Sequence, residues 1–140
     1  MPSSDSNHIE ENFAKDFLSL KAIFEFVGRF SASVNLDDSQ AFSIKFAVEE
    51  VFTNMVKYNP GDNRVTISLE KQGKSVKVGF LDAEKQPFDI TKKEDRNLSL
   101  PIEKRRPGGL GIFLIKKLMD DVKYSHDGTH SRITLTKFVG

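Results

Sequence analysis

The chain has 140 residues, with 21 Lys and Arg against 20 Asp and Glu, for a formal net charge of +1. That balance supplies no global field to gather nucleic acid or an anionic membrane, and without cysteine there are no disulfides and no thiolate metal site. Three scattered histidines make no ligand cluster, no apolar run approaches the roughly 20 residues that span a bilayer, and the polar start Met1–Asn7 lacks the pattern of a secretion signal.

A single cytoplasmic domain is therefore expected, with residues 1–10 a loose tail and 11–140 one folded unit. From Phe13 to about Ser31, Phe17, Leu20, Phe24, Val27 and Phe30 recur at three- and four-residue steps, the stripe of an amphipathic helix. Asn35–Ser39 offers loop and N-cap chemistry. A second helix is expected from about Ser39 to Tyr58; Phe42, Phe46, Val48, Val51, Phe52 and Met55 give it more than one apolar face, so it should be largely buried. Asn59-Pro60-Gly61 stops it. The period then changes to two. Val65, Ile67 and Leu69, and after the Gly73 turn Val76, Val78 and Phe80, read as an antiparallel hairpin covered on one face. Between Asp82 and Gly108 the pattern dissolves into a polar stretch ending Lys104-Arg105-Arg106-Pro107-Gly108-Gly109, long enough to suggest a functional loop. A third helix from Leu110 to about Val122 and a last strand around Ile133 and Leu135, after the Asp127-Gly128 turn, complete the order. Helices layered on one face of a mostly antiparallel sheet are the expected architecture.

Glu50 and Asn54 stand four residues apart, so both project from one side of the second helix. A carboxylate and an amide oxygen so placed suit a hard, oxygen-seeking ion such as magnesium, with the carboxylate able to take a proton. The alternative is a solvated polar stripe, which the apolar crowding around the pair disfavours. Gly108-Gly109-Leu110-Gly111 precedes and opens the third helix; glycines allow close backbone approach, and a helix N-terminus offers unpaired N–H groups, which together make a phosphate cradle. A flexible loop end is the plainer reading of the same residues. Asp82, closing a strand, could accept a hydrogen bond from an adenine amino group or serve ordinary turn chemistry.

In order, these pieces resemble one family. Ala47-Val48-Glu49-Glu50-Val51-Phe52-Thr53-Asn54 is similar to the N-box helix of the Bergerat-fold ATPases of the gyrase, heat-shock chaperone, histidine-kinase and mismatch-repair superfamily. Gly109-Leu110-Gly111-Ile112-Phe113-Leu114-Ile115-Lys116-Lys117-Leu118-Met119-Asp120, with Tyr124 beyond it, resembles the second glycine box of the anti-sigma-factor serine/threonine kinase branch. The likeness implies a two-layer α+β sandwich whose sheet is mixed but mostly antiparallel. It implies that Glu50 is the general base, that Asn54 holds Mg2+, that Asp82 reads adenine, and that Gly108, Gly109, Leu110 and Gly111 lie along the phosphates of ATP. The stretch from about Thr91 to Gly108 would be a lid. Such a protein would sequester a sigma factor or similar regulator and phosphorylate an anti-anti-sigma antagonist on Ser or Thr. A homodimer is compatible with the family, and no direct nucleic-acid or membrane partner is implied.

The first glycine box departs from the branch. Asp82-Ala83-Glu84-Lys85-Gln86-Pro87-Phe88-Asp89 keeps both ends of the pattern, lacks its glycine and is one residue longer. That departure keeps a rival open: a nucleotide-gated binding module without phosphotransfer. A two-component kinase half is disfavoured, since no dimerisation helix pair with a phosphoacceptor histidine is expected before the domain: His8 is expected in the polar tail and His126 in a loop.

Overall fold

The computed structural model describes residues 6–58, 64–83 and 109–139. Strand β1 (Ser6–Ala14) leads through a 3-10 turn (Phe17–Ser19) into helices α1 (Leu20–Ser33) and α2 (Asp38–Tyr58). Strands β2 (Arg64–Gln72) and β3 (Ser75–Ala83) follow, then α3 (Gly109–Leu118), β4 (Asp121–His126) and β5 (His130–Phe138). The sheet runs β1-β2-β3-β5-β4, and each neighbouring pair is antiparallel. The expected mixed sheet is thus purely antiparallel among the described residues.

Strand alternation decides which face carries the helices. Val65, Ile67 and Leu69 of β2, Val76, Val78 and Phe80 of β3, and Ile133 and Leu135 of β5 are all buried, while their sequence neighbours are partly or fully exposed. The register lines them up as cross-strand rows, Ile67 beside Phe80 and Phe80 beside Ile133. Against this face α1 sets Ile23, Phe26, Val27 and Phe30, α2 sets Ile44, Ala47, Val48, Val51, Phe52 and Met55, and α3 sets Ile115 with Met119 just beyond it. Burying each large apolar side chain stabilises the fold by about 1.5–3 kcal/mol before conformational entropy is subtracted.

Local chemistry sets the boundaries. The backbone of Asn35 lies at φ 57°, a left-handed turn that asparagine tolerates and that ends α1. Asp37 and Gln40 form a reciprocal capping box at the start of α2: the Gln40 N–H donates to Asp37 Oδ1 at 2.7 Å, and the Asp37 N–H to Gln40 Oε1 at 3.1 Å. Gly73, at φ 62°, lets β2 reverse into β3.

Three expectations are corrected. Residues 6–10 are not tail but the first half of β1, paired with β2 from Ser6 opposite Gln72 to Ala14 opposite Arg64. The first helix begins at Leu20 rather than Phe13: Phe13 belongs to β1, where it meets the Phe26 ring edge-on at 5.5 Å, and Phe17 sits in the 3-10 turn, 48% exposed. The third helix ends at Leu118, and Val122 and Tyr124 lie in a separate strand, β4, so His126 ends a strand too. The second helix agrees to within a residue, although its Phe42 is 63% exposed. The expected loop at 59–63, the segment 84–108 with the lid, and Gly108 lie outside the described residues.

Candidate functional site

The middle of α2 carries Glu50 and Asn54. Apolar neighbours Val51, Phe52 and Met55 turn into the core and drag the flanking polar positions partly inward, leaving Glu50 half-buried and Asn54 only 1% exposed. The Asn54 amide nitrogen donates to the Glu50 carbonyl at 2.6 Å. Because that carbonyl can only accept, the nitrogen must face it, and the oxygen of Asn54 must face away. There Asn54 Oδ1 finds no hydrogen-bond partner among the described residues. A buried amide oxygen without a donor costs on the order of 1–3 kcal/mol, so an acceptor left in this state calls for a reason beyond folding.

The carboxyl of Glu50 is raised above its ordinary range, chiefly by burial and next by the adjacent Glu49 carboxylate, with Lys57 pulling the other way. Such a shift makes the ionised group a stronger base than a solvated glutamate.

Asp82 comes from the sheet. It lies on the helix-facing side of β3, in a row with Val65 of β2 and Ser131 of β5, and is 0% exposed. Lys15, just past the end of β1, reaches it: Nζ lies 2.9 Å from Asp82 Oδ1. The lysine was not legible as a site residue, since Ala14-Lys15-Asp16 carries no motif and only the strand pairing brings it to Asp82.

Gly109, Leu110 and Gly111 form the first turn of α3, and α3 packs against α2. The other end of α3 is pinned to the sheet, where Lys137 Nζ donates to the Leu118 carbonyl at 2.7 Å. The fold therefore brings the Glu50–Asn54 helix and the glycine-led helix side by side, and holds Asp82 in the sheet layer beneath the helices.

These residues fit a magnesium-bound phosphate better than a metal caged by protein. Among the described residues no group of three or more His, Cys, Asp or Glu could hold a metal ion. Magnesium ordinarily takes only one or two protein oxygens and completes its shell with water and substrate phosphates. The Asn54 oxygen, buried and without a donor among the described residues, with the Glu50 carboxylate on the same helix, suits that pattern.

The sequence profile of the histidine kinase-like ATPase domain matches residues 13–137. The chain belongs to that family. Among its curated relatives is the serine-protein kinase RsbW of Listeria innocua, 34% identical over 103 residues that cover 69% of this chain and 64% of the relative. The serine-protein kinase RsbW of Bacillus cereus is 28% identical over 109 residues, 69% of this chain and 62% of the relative. The chain thus spans a little under two thirds of the length of these kinases. Two solved structures share the fold, each with a TM-score of 0.67. The RsbU and RsbW domains of a Mycobacterium tuberculosis protein match 95% of this chain and 32% of theirs at 12% identity. The SiaB–SiaC complex of Pseudomonas aeruginosa matches 91% and 88% at 11% identity. The resemblance to the anti-sigma-factor kinase branch read from the two sequence boxes agrees with these relatives, and so does the α+β architecture. Among the described residues, no helix is long and apolar enough to cross a membrane.

Proposed function

We propose that this domain binds ATP with magnesium and acts as an anti-sigma-type regulator, sequestering a signalling partner and phosphorylating an antagonist protein on Ser or Thr. The observation that carries the reading is the buried oxygen of Asn54, without a hydrogen-bond donor among the described residues, on a helix that also carries the half-buried Glu50 carboxylate and packs against the glycine-led α3. In this reading Asn54 is the protein's oxygen for the metal, and the amides of Gly109–Gly111 approach the phosphates. Bound magnesium would neutralise phosphate charge. Glu50 accepts the proton of the incoming hydroxyl, a task suited to a carboxyl whose affinity for protons is raised by burial. Little other covalent chemistry is asked of the protein, because phosphoryl transfer depends mainly on positioning and charge stabilisation.

The partner class is drawn from relatives: the kinases named RsbW, and SiaB, whose structure was solved with SiaC. For this chain an anti-anti-sigma protein is the proposed phosphoacceptor, a sigma factor or similar regulator the proposed captive, and a cytoplasmic setting and possible homodimer go with them. A second reading, a nucleotide-gated binder without phosphotransfer, is favoured by one feature. The first glycine box, Asp82 to Asp89, lacks the glycine of the branch and is one residue longer.

Titration calorimetry tests the first step. ATP should bind in magnesium and lose most of its affinity in chelator, and Asn54→Ala should weaken magnesium-dependent binding substantially. Equal binding in chelator, or none at millimolar ATP, would end the ATP–magnesium reading. A pull-down from the native cell with and without ATP, read by mass spectrometry, then identifies partner and phosphosite. A partner captured with ATP yet never phosphorylated would select the second reading.

A further inference from the structure

Lys15 and Asp82 form an ion pair buried at both ends, their side chains 1% and 0% exposed and the charged atoms 2.9 Å apart. Local structure aims the lysine inward. The Asp16 N–H donates to the Ala14 carbonyl at 2.8 Å, closing a three-residue turn centred on Lys15. The Ser19 hydroxyl donates to the same carbonyl at 2.9 Å, and Asp16 Oδ1 accepts from the Leu18 N–H at 2.8 Å. Four residues thus brace the backbone on which Lys15 stands.

A buried ion pair seldom stabilises a fold more than apolar residues of the same volume would. Here it stands in the helix-facing layer, in the row Phe13, Val65, Asp82, Ser131, beside the apolar Val65 on one side and the buried Ser131 on the other. A role in orientation accounts for it better than a role in stability. A carboxylate can accept about four hydrogen bonds, and an ammonium at Oδ1 fixes the directions in which the others can be accepted.

We propose that Lys15 is a positioning residue for base recognition: its ammonium fixes the Asp82 carboxylate in the orientation that accepts the adenine amino group. Base selectivity then depends on the connection between β1 and α1 as well as on β3. The inference rests on the ATP reading above, together with the adenine-reading role that the family resemblance implies for Asp82, and adds a residue that neither sequence box contains.

The test compares ATP with inosine triphosphate, whose base has a carbonyl in place of the amino group, by calorimetry in magnesium on the full 140-residue chain. The unsubstituted protein should prefer ATP by about tenfold or more, the scale of a hydrogen bond to a charged group. Lys15→Met should erase most of that preference, Lys15→Arg should retain much of it, and Lys15→Met added to Asp82→Asn should change the ratio no further. If Lys15→Met fails to fold, Lys15→Gln, which keeps a donor but not the charge, should give an intermediate ratio. A folded Lys15→Met or Lys15→Gln protein with an unchanged ratio overturns the proposal and leaves the pair a structural tie. Tighter ATP binding by Lys15→Met overturns it too, by showing that the lysine competes with the base. Should the unsubstituted protein bind both nucleotides equally, base recognition through Asp82 fails while the ATP reading stands. Binding of neither nucleotide removes both.

Discussion

Asn54 and Glu50 are held in states that folding alone does not favour, and that gives each a testable signature. Replacing Asn54 by alanine removes an unpartnered acceptor along with the bond to the Glu50 carbonyl, two effects of opposite sign and similar size. Stability of Asn54→Ala should therefore stay within about 1 kcal/mol of the parent in urea unfolding, while magnesium-dependent ATP binding collapses. A large stability loss would make Asn54 a structural residue. For Glu50 the sign follows from its raised affinity for protons. A carboxyl that holds its proton more tightly when folded favours the fold below the usual carboxylate range, and this contribution is lost as pH rises through the raised folded value. Glu50→Gln should accordingly raise the melting temperature at pH 7 and leave it nearly unchanged at pH 4, while phosphotransfer falls by about 10²-fold or more. A lower melting temperature at pH 7 would contradict the burial argument. Both side chains could be picked from sequence, because a four-residue step on a crowded helix is visible there. Lys15 could not, because its partner is reached only through the pairing of β1, β2 and β3.

The elements that were hard to read are the two edge strands. In β1 only Ile9 and Phe13 are apolar residues on the helix side, and the rest of Ser6–Ala14 is polar except Ala14, so alternation is too sparse to separate from a tail. In β4, Val122, Tyr124 and His126 are each half-buried over six residues, and Val122 falls in step with the helix before it. Central strands pack one whole face and announce themselves by strict alternation, whereas edge strands have less to cover. What holds β4 to β5 is turn chemistry that is legible in sequence. Asp127 Oδ1 accepts from the N–H groups of Thr129 at 2.9 Å and His130 at 2.8 Å, and Gly128 sits at φ 104°. The two N–H donors hold the Asp127 carboxyl down at about 2. Its contribution to the turn is thus complete above the ordinary aspartate range and is lost as pH falls toward 2. Asp127→Ala should speed amide exchange at Thr129 and His130 at neutral pH, and the difference from the parent should shrink as the parent is taken toward pH 2. Equal exchange in both proteins at neutral pH would show that the carboxylate does not hold the turn.

Across the whole molecule, β1 is the segment whose assignment changes most between sequence and structure, and it ties the fold to the site. It covers the edge of β2 along nine residue pairs, puts Phe13 into the core, and delivers Lys15 to Asp82. Had residues 1–10 been a loose tail, substituting Ile9 would change stability by no more than about 0.5 kcal/mol. As a half-buried side chain packed on the core, Ile9→Ala should instead cost about 1–2 kcal/mol, and Phe13→Ala about 3–5 kcal/mol. A chain starting at Lys15 loses the strand entirely and opens a hydrogen-bonding edge on β2 that invites association. Against a typical net stability of about 5–15 kcal/mol, this truncation should lower the melting temperature by about 10 °C or more. Sedimentation should show it aggregating at concentrations where the full chain does not. The fraction that stays folded gives the decisive readout, because Lys15 is still present but its bracing turn is not: the Ala14 carbonyl that anchors Asp16 and Ser19 has gone. That fraction should bind ATP with reduced preference over inosine triphosphate. Full stability and unaltered selectivity in the truncated chain would mean that β1 is dispensable to both fold and site, and that the sequence reading of a tail was the better one.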